Sequence, residues 1–331
     1  MPPVSSDNDL PNSLNTLTKQ VKIVEKLLSE HFNCQAKHID RSPIQGSFSR
    51  TLFVTLEDAR EVVVQFRTEP LDLDPFRTAR GALGSYVPDC GALENKEIEE
   101  EGAWAYCFAR IPGQLWHHGV RAKGAQGRIT ISRSLGSVFS KGYLAENSKA
   151  VVGKICRHLD SIITSSLLEV VPYRGILQSF IVRLEELAQL PLWVAHYDLN
   201  ALNVLVDDDC RVTGLVDWEL SSPLPFGVGF GRIHTIAGKF TNGDFYMPNE
   251  FESAERGFWK GLFDGMPDDI RRTVEMRDHL VQDAVILGTL MDCFFYEDGK
   301  VGFNPVALKA LPKFLTYRIP SLRKDRPPYE M

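Results

Sequence analysis

No stretch of this chain is long and apolar enough to span a bilayer; none approaches the roughly 18 to 20 residues a membrane helix needs. Excess positive charge is missing too. With 37 Lys and Arg against 43 Asp and Glu, the formal net charge is -6, which leaves no electrostatic footprint for nucleic acid or an anionic membrane. Cysteine is sparse and carries no metal-binding pattern. The six residues, Cys34, Cys90, Cys107, Cys156, Cys210 and Cys293, form no C-x-x-C pair and no zinc-like spacing. Cys107 and Cys293 sit in apolar surroundings and read as small core residues, and this usage points to a reduced, cytoplasmic protein. The opening residues, MPPVSSDNDLPNSLN, lack the basic start and apolar core of a secretory signal. Residues 1–12 read as a poorly ordered polar tail. Repeats and low-complexity tracts are absent as well.

What is present is an ordinary globular composition, 44% hydrophobic and 24% charged, over 331 residues, enough for a large core in two lobes. Ser13 to Phe32 places Leu14, Leu17, Val21, Val24, Leu27 and Leu28 at helical spacing. TLFVTLED and EVVVQFR then read as antiparallel strands joined by a turn. Leu73 to Val87 reads as a helix stopped before Pro88, and WAYCFARIPG as a strand ending in a Pro-Gly break. From about Gly113 helices dominate: Ser132 to Leu144, Ala150 to Ser165, Arg174 to Leu190, Phe251 to Leu262, Pro267 to Phe295 and Pro305 to Leu315. The expected architecture is α+β, with an N-lobe over 13–110 and a mostly helical C-lobe over 111–331.

One stretch interrupts those helices: WVAHYDLNALNVLVDDDCRVTGLVDWELSSP, from Trp193 to Pro223. Two short strands, Val204 to Val206 and Val212 to Val216, flank an Asp-rich turn. Asp198 and Asn203 lie five residues apart in the preceding loop, and Asp217 ends the strand pair. Phosphoryl transfer needs such a set. One carboxylate orients the attacking hydroxyl, while an amide oxygen and a second carboxylate hold a Mg²⁺ that bridges phosphates.

The pattern His196-Tyr197-Asp198-Leu199, Asn203-Val204-Leu205-Val206, Val216-Asp217-Trp218-Glu219 resembles the aminoglycoside phosphotransferase and choline kinase family. The resemblance implies a bilobal protein-kinase-like fold, a sheet-rich N-lobe that binds nucleotide and a C-lobe with the catalytic loop and substrate site. It makes Asp198 the catalytic carboxylate, Asn203 and Asp217 the metal ligands, and His196 a support for the loop. ATP and Mg²⁺ are the implied cofactors and a small-molecule hydroxyl the implied acceptor. The likeness extends to the N-lobe, where IQGSFSRTLFVTLEDAREVVVQFR is similar to the family's Gly-loop and strands. There Gly46 would permit a tight backbone, and Ser47 and Ser49 would offer hydrogen bonds to phosphate. Phe108 to Gly113 sits at the family's hinge, so backbone groups from Phe108 to Arg110 would meet the adenine edge. Details such as PLPFGVGFGRIHTIAG are similar to a branch common in fungi.

The chain departs from the family at one position. The Lys usual on the third strand is replaced by Gln65, and Asp74 to Val87 offers no Glu to pair with it. Arg67 shares a strand face with Gln65 and is one substitute cation, and Arg50 is another. Glu219 and Asp292 are candidate substrate contacts. So are Trp116, His117 and His118 at a substrate mouth, and Asp283, Glu297 and Asp298 on or after a long helix. Core packing equally explains Trp259, Phe294, Phe295 and Tyr296, and His234 reads as a core or supporting residue. Two readings stay open beside an active phosphotransferase. One is a degenerate protein that binds nucleotide or metabolite without transfer; the other is a repurposed enzyme of natural-product metabolism.

Overall fold

The computed structural model describes residues 3–119, 123–241, 243–297 and 299–320. By contact the chain divides into two units, one formed by residues 1–80 and 87–111, the other by 81–86 and 112–331. Among the described residues no helix is long and apolar enough to cross a membrane.

The N-terminal unit opens with helix α1 (Leu17–Phe32), capped by Thr16, whose side chain accepts from the Lys19 amide. Strands β1 (Ala36–Arg41), β2 (Arg50–Leu56) and β3 (Glu61–Arg67) follow, then α2 (Asp74–Leu83), β4 (Cys90–Ala92), α3 (Lys96–Glu100) and β5 (Trp104–Ala109). The strands form one antiparallel sheet in the order β1-β2-β3-β5-β4. Alternation along β3 sends Val62, Val64 and Phe66 to one face, where they join Val24, Leu27 and Leu28 of α1 and Ile98 of α3 in one core. Each such buried side chain contributes roughly 1.5–3 kcal/mol. Gln65 and Arg67 therefore stand on the opposite face.

Two expectations change here. The leading segment is not a loose tail, because Val4 and Leu10 are buried in that same core and the Val4 amide donates to Ser47 O at 2.7 Å. Its polar composition hides two apolar anchors. A second helix, α3, also supplies acids that the sequence reading did not place. They serve other partners: Glu97 lies 3.9 Å from Lys26, Glu99 accepts from the Asn95 amide, and Glu101, just beyond α3, accepts from Ser13.

The C-terminal unit contains β6 (Gln114–Leu115), α4 (Trp116–Gly119), α5 (Gly124–Phe139), β7 (Tyr143–Leu144), α6 (Lys149–Thr164), α7 (Arg174–Leu187) and β8 (Leu192–Trp193). The catalytic-type stretch contributes β9 (Val204–Val206) and β10 (Val212–Leu215). Next come β11 (Leu224–Pro225), α8 (Ile233–Ala237), β12 (Lys239–Thr241), β13 (Asp244–Tyr246), α9 (Phe251–Gly265), α10 (Asp268–Glu275) and α11 (Asp278–Cys293). Last are β14 (Phe294–Glu297), β15 (Lys300–Phe303) and α12 (Pro305–Leu315). The single helix expected from Pro267 to Phe295 is two helices broken around Met276 and Arg277, and Phe294 to Tyr296 are strand residues paired with β15.

Candidate active site

Strand β9 pairs with β10 on one side and β6 on the other. The loop before it and the turn after β10 are tied together through the backbone: the Val216 amide donates to Asn203 O at 3.0 Å. His196 adds a second tie. Its Nε2 donates to Val216 O at 2.9 Å, and its ring lies 4.5 Å from that of Trp218. Burial pushes the His196 imidazole down to about 4, so the ring is neutral. Trp218 is fully buried and donates from Nε1 to Leu215 O. These contacts fix the chain on both sides of Asp217. Asp217 itself is exposed and sits at φ 66°, in the left-handed region that a non-glycine residue enters at a cost. An unfavourable backbone on an exposed carboxylate, held by buried neighbours, is how functional sites store strain.

Asp198 is gripped from two sides. Asn203 Nδ2 donates to Asp198 Oδ2 at 2.9 Å and to its backbone oxygen at 2.8 Å. Arg232 Nη1 donates to Asp198 Oδ1 at 2.7 Å. The same guanidinium donates through Nε to Asp292. Two carboxylates thus share one cation. Asp292 is half-buried, and burial raises its pKa against the pull of Arg232.

Arg232 is the residue that sequence reasoning missed. Its signal lies in the glycines before it, Gly229 and Gly231, spaced two apart. A Cβ on Gly231 would meet the Gly288 carbonyl carbon at 2.2 Å, and one on Gly229 would meet Ala195 Cβ at 2.5 Å. Only glycine lets this segment lie directly on α11 and against the strand leading to the catalytic loop. That seating delivers Arg232 to Asp198 and Asp292.

The fit to a magnesium ion follows from the donor set. Among the described residues no group of three His, Cys, Asp or Glu converges as a metal cage. Mg²⁺ on a nucleotide needs only one or two protein oxygens, since phosphates and water supply the rest. The described side-chain bonds of Asn203 use its Nδ2, which points to Oδ1 as the cation-facing atom, and Asp217 offers an exposed carboxylate. The residues present suit the ion.

The other expected site residues fall as follows. Glu219 is half-buried with partners of its own. Asp283 is bound by Arg183 at 2.5 Å, so it is no open substrate acid. Asp298 lies outside the described residues. His234 donates to buried Glu255 at 3.0 Å, whose other oxygen accepts from Tyr317, and Tyr317 in turn accepts from Trp259. His234 and Trp259 are therefore core members. Trp116 and His117 do line a cleft, and the His117 amide is tied to Ala201 O.

In the N-terminal unit the loop from Gln45 to Ser49 is braced from within. The Gln45 side chain donates to Ser42 O and Thr51 O and accepts from the Thr51 amide. Gly46 is not sterically forced, since a Cβ there would lie at an ordinary 3.5 Å from Ser49 Oγ. Ser47 is exposed, while Ser49 is buried with Oγ 3.4 Å from Thr51 Oγ1. Arg50 is not a spare cation: it donates to Gly46 O and Ser49 O, and its Nε lies 3.5 Å from Asp7. Gln65 is half-buried opposite Tyr106, and Arg67 is buried and has partners. The Phe108 ring packs on Phe76 at 5.5 Å. Arg110 binds Glu61 at 3.1 Å and lies over Phe53. The Ala109 and Arg110 amides already donate to Asp89 O and Glu61 O, so free donors for a nucleobase begin no earlier than Ile111.

The fold is that of the protein-kinase-like phosphotransferases. More narrowly, residues 163–249, which contain the whole stretch from Trp193 to Pro223, match the sequence model described as the phosphotransferase enzyme family. No curated protein sequence matches the chain. Among solved structures, Plasmodium vivax ethanolamine kinase is similar over 95% of this chain and 93% of its own, at 10% identity and a TM-score of 0.54. A thermostable mutant of aminoglycoside phosphotransferase APH(4)-Ia, in ternary complex with AMP-PNP and hygromycin B, is similar over 81% of this chain and 89% of its own. Its identity is 14% and its TM-score 0.52. The resemblance to the aminoglycoside phosphotransferase and choline kinase family is thus supported by both sequence and fold.

Proposed function

We propose that this protein is an ATP- and Mg²⁺-dependent phosphotransferase acting on a hydroxyl of a small molecule. The observation that carries the reading is the Asn203–Asp198–Arg232 arrangement beside a backbone-strained Asp217. Asn203 and Arg232 fix the Asp198 carboxylate in one orientation, and part of it remains open to solvent. A carboxylate so held accepts the proton of an incoming hydroxyl and aligns the oxygen for in-line attack. Asn203 and Asp217 would hold the Mg²⁺, whose charge offsets the negative charge of the nucleotide phosphates. The similar APH(4)-Ia complex carries AMP-PNP, which supports a nucleotide as donor here.

Two variants separate the roles in one experiment. Asp217→Ala removes the Mg²⁺-dependent part of ATP affinity in a titration with and without the ion. Asp198→Asn leaves that affinity nearly intact and lowers turnover by at least about a hundredfold. Unchanged Mg²⁺-ATP affinity in folded Asp217→Ala would sink the metal assignment. Binding without turnover in the parent, across broad acceptor mixtures, would favour the degenerate reading.

A further inference from the structure

The C-terminal unit contains a cleft of about 830 Å³, within the usual range for a small-molecule site. Its wall includes Leu199, Asn200 and Ala201, which directly follow Asp198, together with Arg232 and Asp292. The other charged wall residues are Arg128, Lys239 and Glu250.

Each wall carboxylate has an arginine partner, and Asp292 shares its arginine with Asp198. Glu250 accepts from Arg128 Nε at 3.0 Å in a largely buried pair. Arg128 is further spent on the carbonyls of Ile236 and Gly238. Asp292 accepts from Arg232, which also holds Asp198. Lys239 is exposed at the start of β12 and is the one charged wall residue without an ion pair among the described residues. Thr235, Thr241 and Asn304 give the remaining wall neutral hydrogen-bonding groups.

We infer that this cleft receives the acceptor, and that the acceptor is a hydroxyl compound bearing one anionic group, a carboxylate or a phosphate, held by Lys239. The hydroxyl end rests on the phosphotransferase reading; the anionic end rests on the charge of the wall. A polycationic acceptor would find no wall carboxylate without an arginine partner among the described residues. An ammonium group at Glu250 would have to displace Arg128 from a largely buried pair and leave that arginine uncompensated. An anionic group meets the opposite situation, since Lys239 need give up no partner to bind it.

The test titrates four probes into the parent and into Lys239→Glu, with AMP-PNP and Mg²⁺ at saturation to fill the nucleotide phosphate positions. The probes are glycerate, glycerol 3-phosphate, glycerol and hygromycin B, followed by ligand-observed NMR. Both anions are expected to bind the parent at least about tenfold more tightly than glycerol or hygromycin B. Lys239→Glu is expected to lose about tenfold or more of the anion affinity at an unchanged melting temperature. The tighter anion identifies carboxylate or phosphate as the matched group. Equal or tighter binding of hygromycin B, unchanged anion affinity in Lys239→Glu, or no binding of either anion overturns the inference. ATP consumption is read separately. Anion binding without consumption counts against phosphoryl transfer and leaves the charge assignment standing; consumption with hygromycin B alone does the reverse.

Discussion

The two units match their charges in opposite ways. Around the loop from Gln45 to Ser49, cations are held by acids of the same unit: Arg41 and Arg50 both reach Asp7, and Arg110 reaches Glu61. Around the catalytic loop the acids outnumber the cation, since Asp198 and Asp292 share Arg232. In the first arrangement two arginines share one acid, in a unit that lacks the usual strand lysine. The second arrangement spends one arginine on orienting a carboxylate, and its partial burial makes that expensive to disturb.

The comparison breaks first if Arg232 is not the keystone of the C-terminal unit. Arg232→Gln leaves the half-buried Asp292 without its arginine partner. We expect a loss of about 3–5 kcal/mol in denaturant unfolding, the scale for half of a buried pair. Arg232→Gln combined with Asp292→Asn should recover most of that stability, because the uncompensated charge is gone. It should not recover turnover, since Asp198 still lacks its second grip. A loss below about 1 kcal/mol in the single variant would place this network among weak surface pairs.

Why was Arg232 invisible in the sequence when Asp198, Asn203 and Asp217 were not? The latter three sit within one strand–turn–strand unit, so their spacing carries the geometry. Arg232 meets partners 34 and 60 residues away, and only the folded chain brings them together. The same division holds for the fold. Strand β9 and helix α12 lie where apolar periodicity put them, at Val204–Val206 and Pro305–Leu315. Helix α5 runs from Gly124 to Phe139, starting earlier than the expected Ser132, and it includes the glycines Gly124, Gly127 and Gly136. One of them, Gly136, is a packing contact: a Cβ there would lie 2.0 Å from Phe258 O of α9. Strand β1 was missed because it is mostly exposed and shows no apolar alternation. The anchoring of Val4 and Asp7 depends on distant partners at Ser47, Arg41 and Arg50, which local composition does not reveal.

A second test concerns the neutral His196 that ties the catalytic loop to Val216. The folded ring takes a proton only near pH 4, against about 6.5 for an unperturbed histidine. Unfolding therefore takes up a proton between those values. Stability from this group is full above about pH 6.5 and falls as pH drops toward 4, by a total of the order of 3 kcal/mol. His158 is shifted in the same direction by burial and adds to the slope. His196→Gln should flatten the unfolding free energy between pH 7 and about 4.5, whatever it does to absolute stability. An unchanged slope would mean that the ring is not buried neutral, and the tie between loop and turn would lose its basis.

Third, the missing strand lysine of the N-terminal unit predicts an order among variants on one strand face. Arg67→Gln should weaken ATP binding by about 1.5–3 kcal/mol, the scale of a charge-assisted contact, and Gln65→Ala by less. Gln65→Lys alone should help little because, of the α3 acids, Glu97 and Glu99 lie against other partners and Glu100 is exposed to solvent. The affinities belong at one salt concentration, since salt screens phosphate contacts. An ATP affinity in Arg67→Gln equal to the parent's would remove the substitute cation and shift the weight of phosphate binding to the metal.

The smallest effect is expected at Asp7, and its sign is the informative part. The Asp7 carboxylate lies 3.5 Å from Arg50 Nε and also binds Arg41. Arg50 keeps its bonds to the carbonyls of Gly46 and Ser49 whether or not Asp7 is charged, and the Val4 amide still holds Ser47 O. Asp7→Asn should thus leave the loop in place and strip only a negative charge from beneath it. Pairs of this partly solvated kind are worth about 0.2–1 kcal/mol, so ATP affinity should rise by a few-fold at most. A rise that fades with added salt would make Arg50 a cation masked by the leading segment. A fall would give Asp7 the opposite role: its charge would be ordering the loop, and the neutral pairing of this unit would serve phosphate binding instead of opposing it.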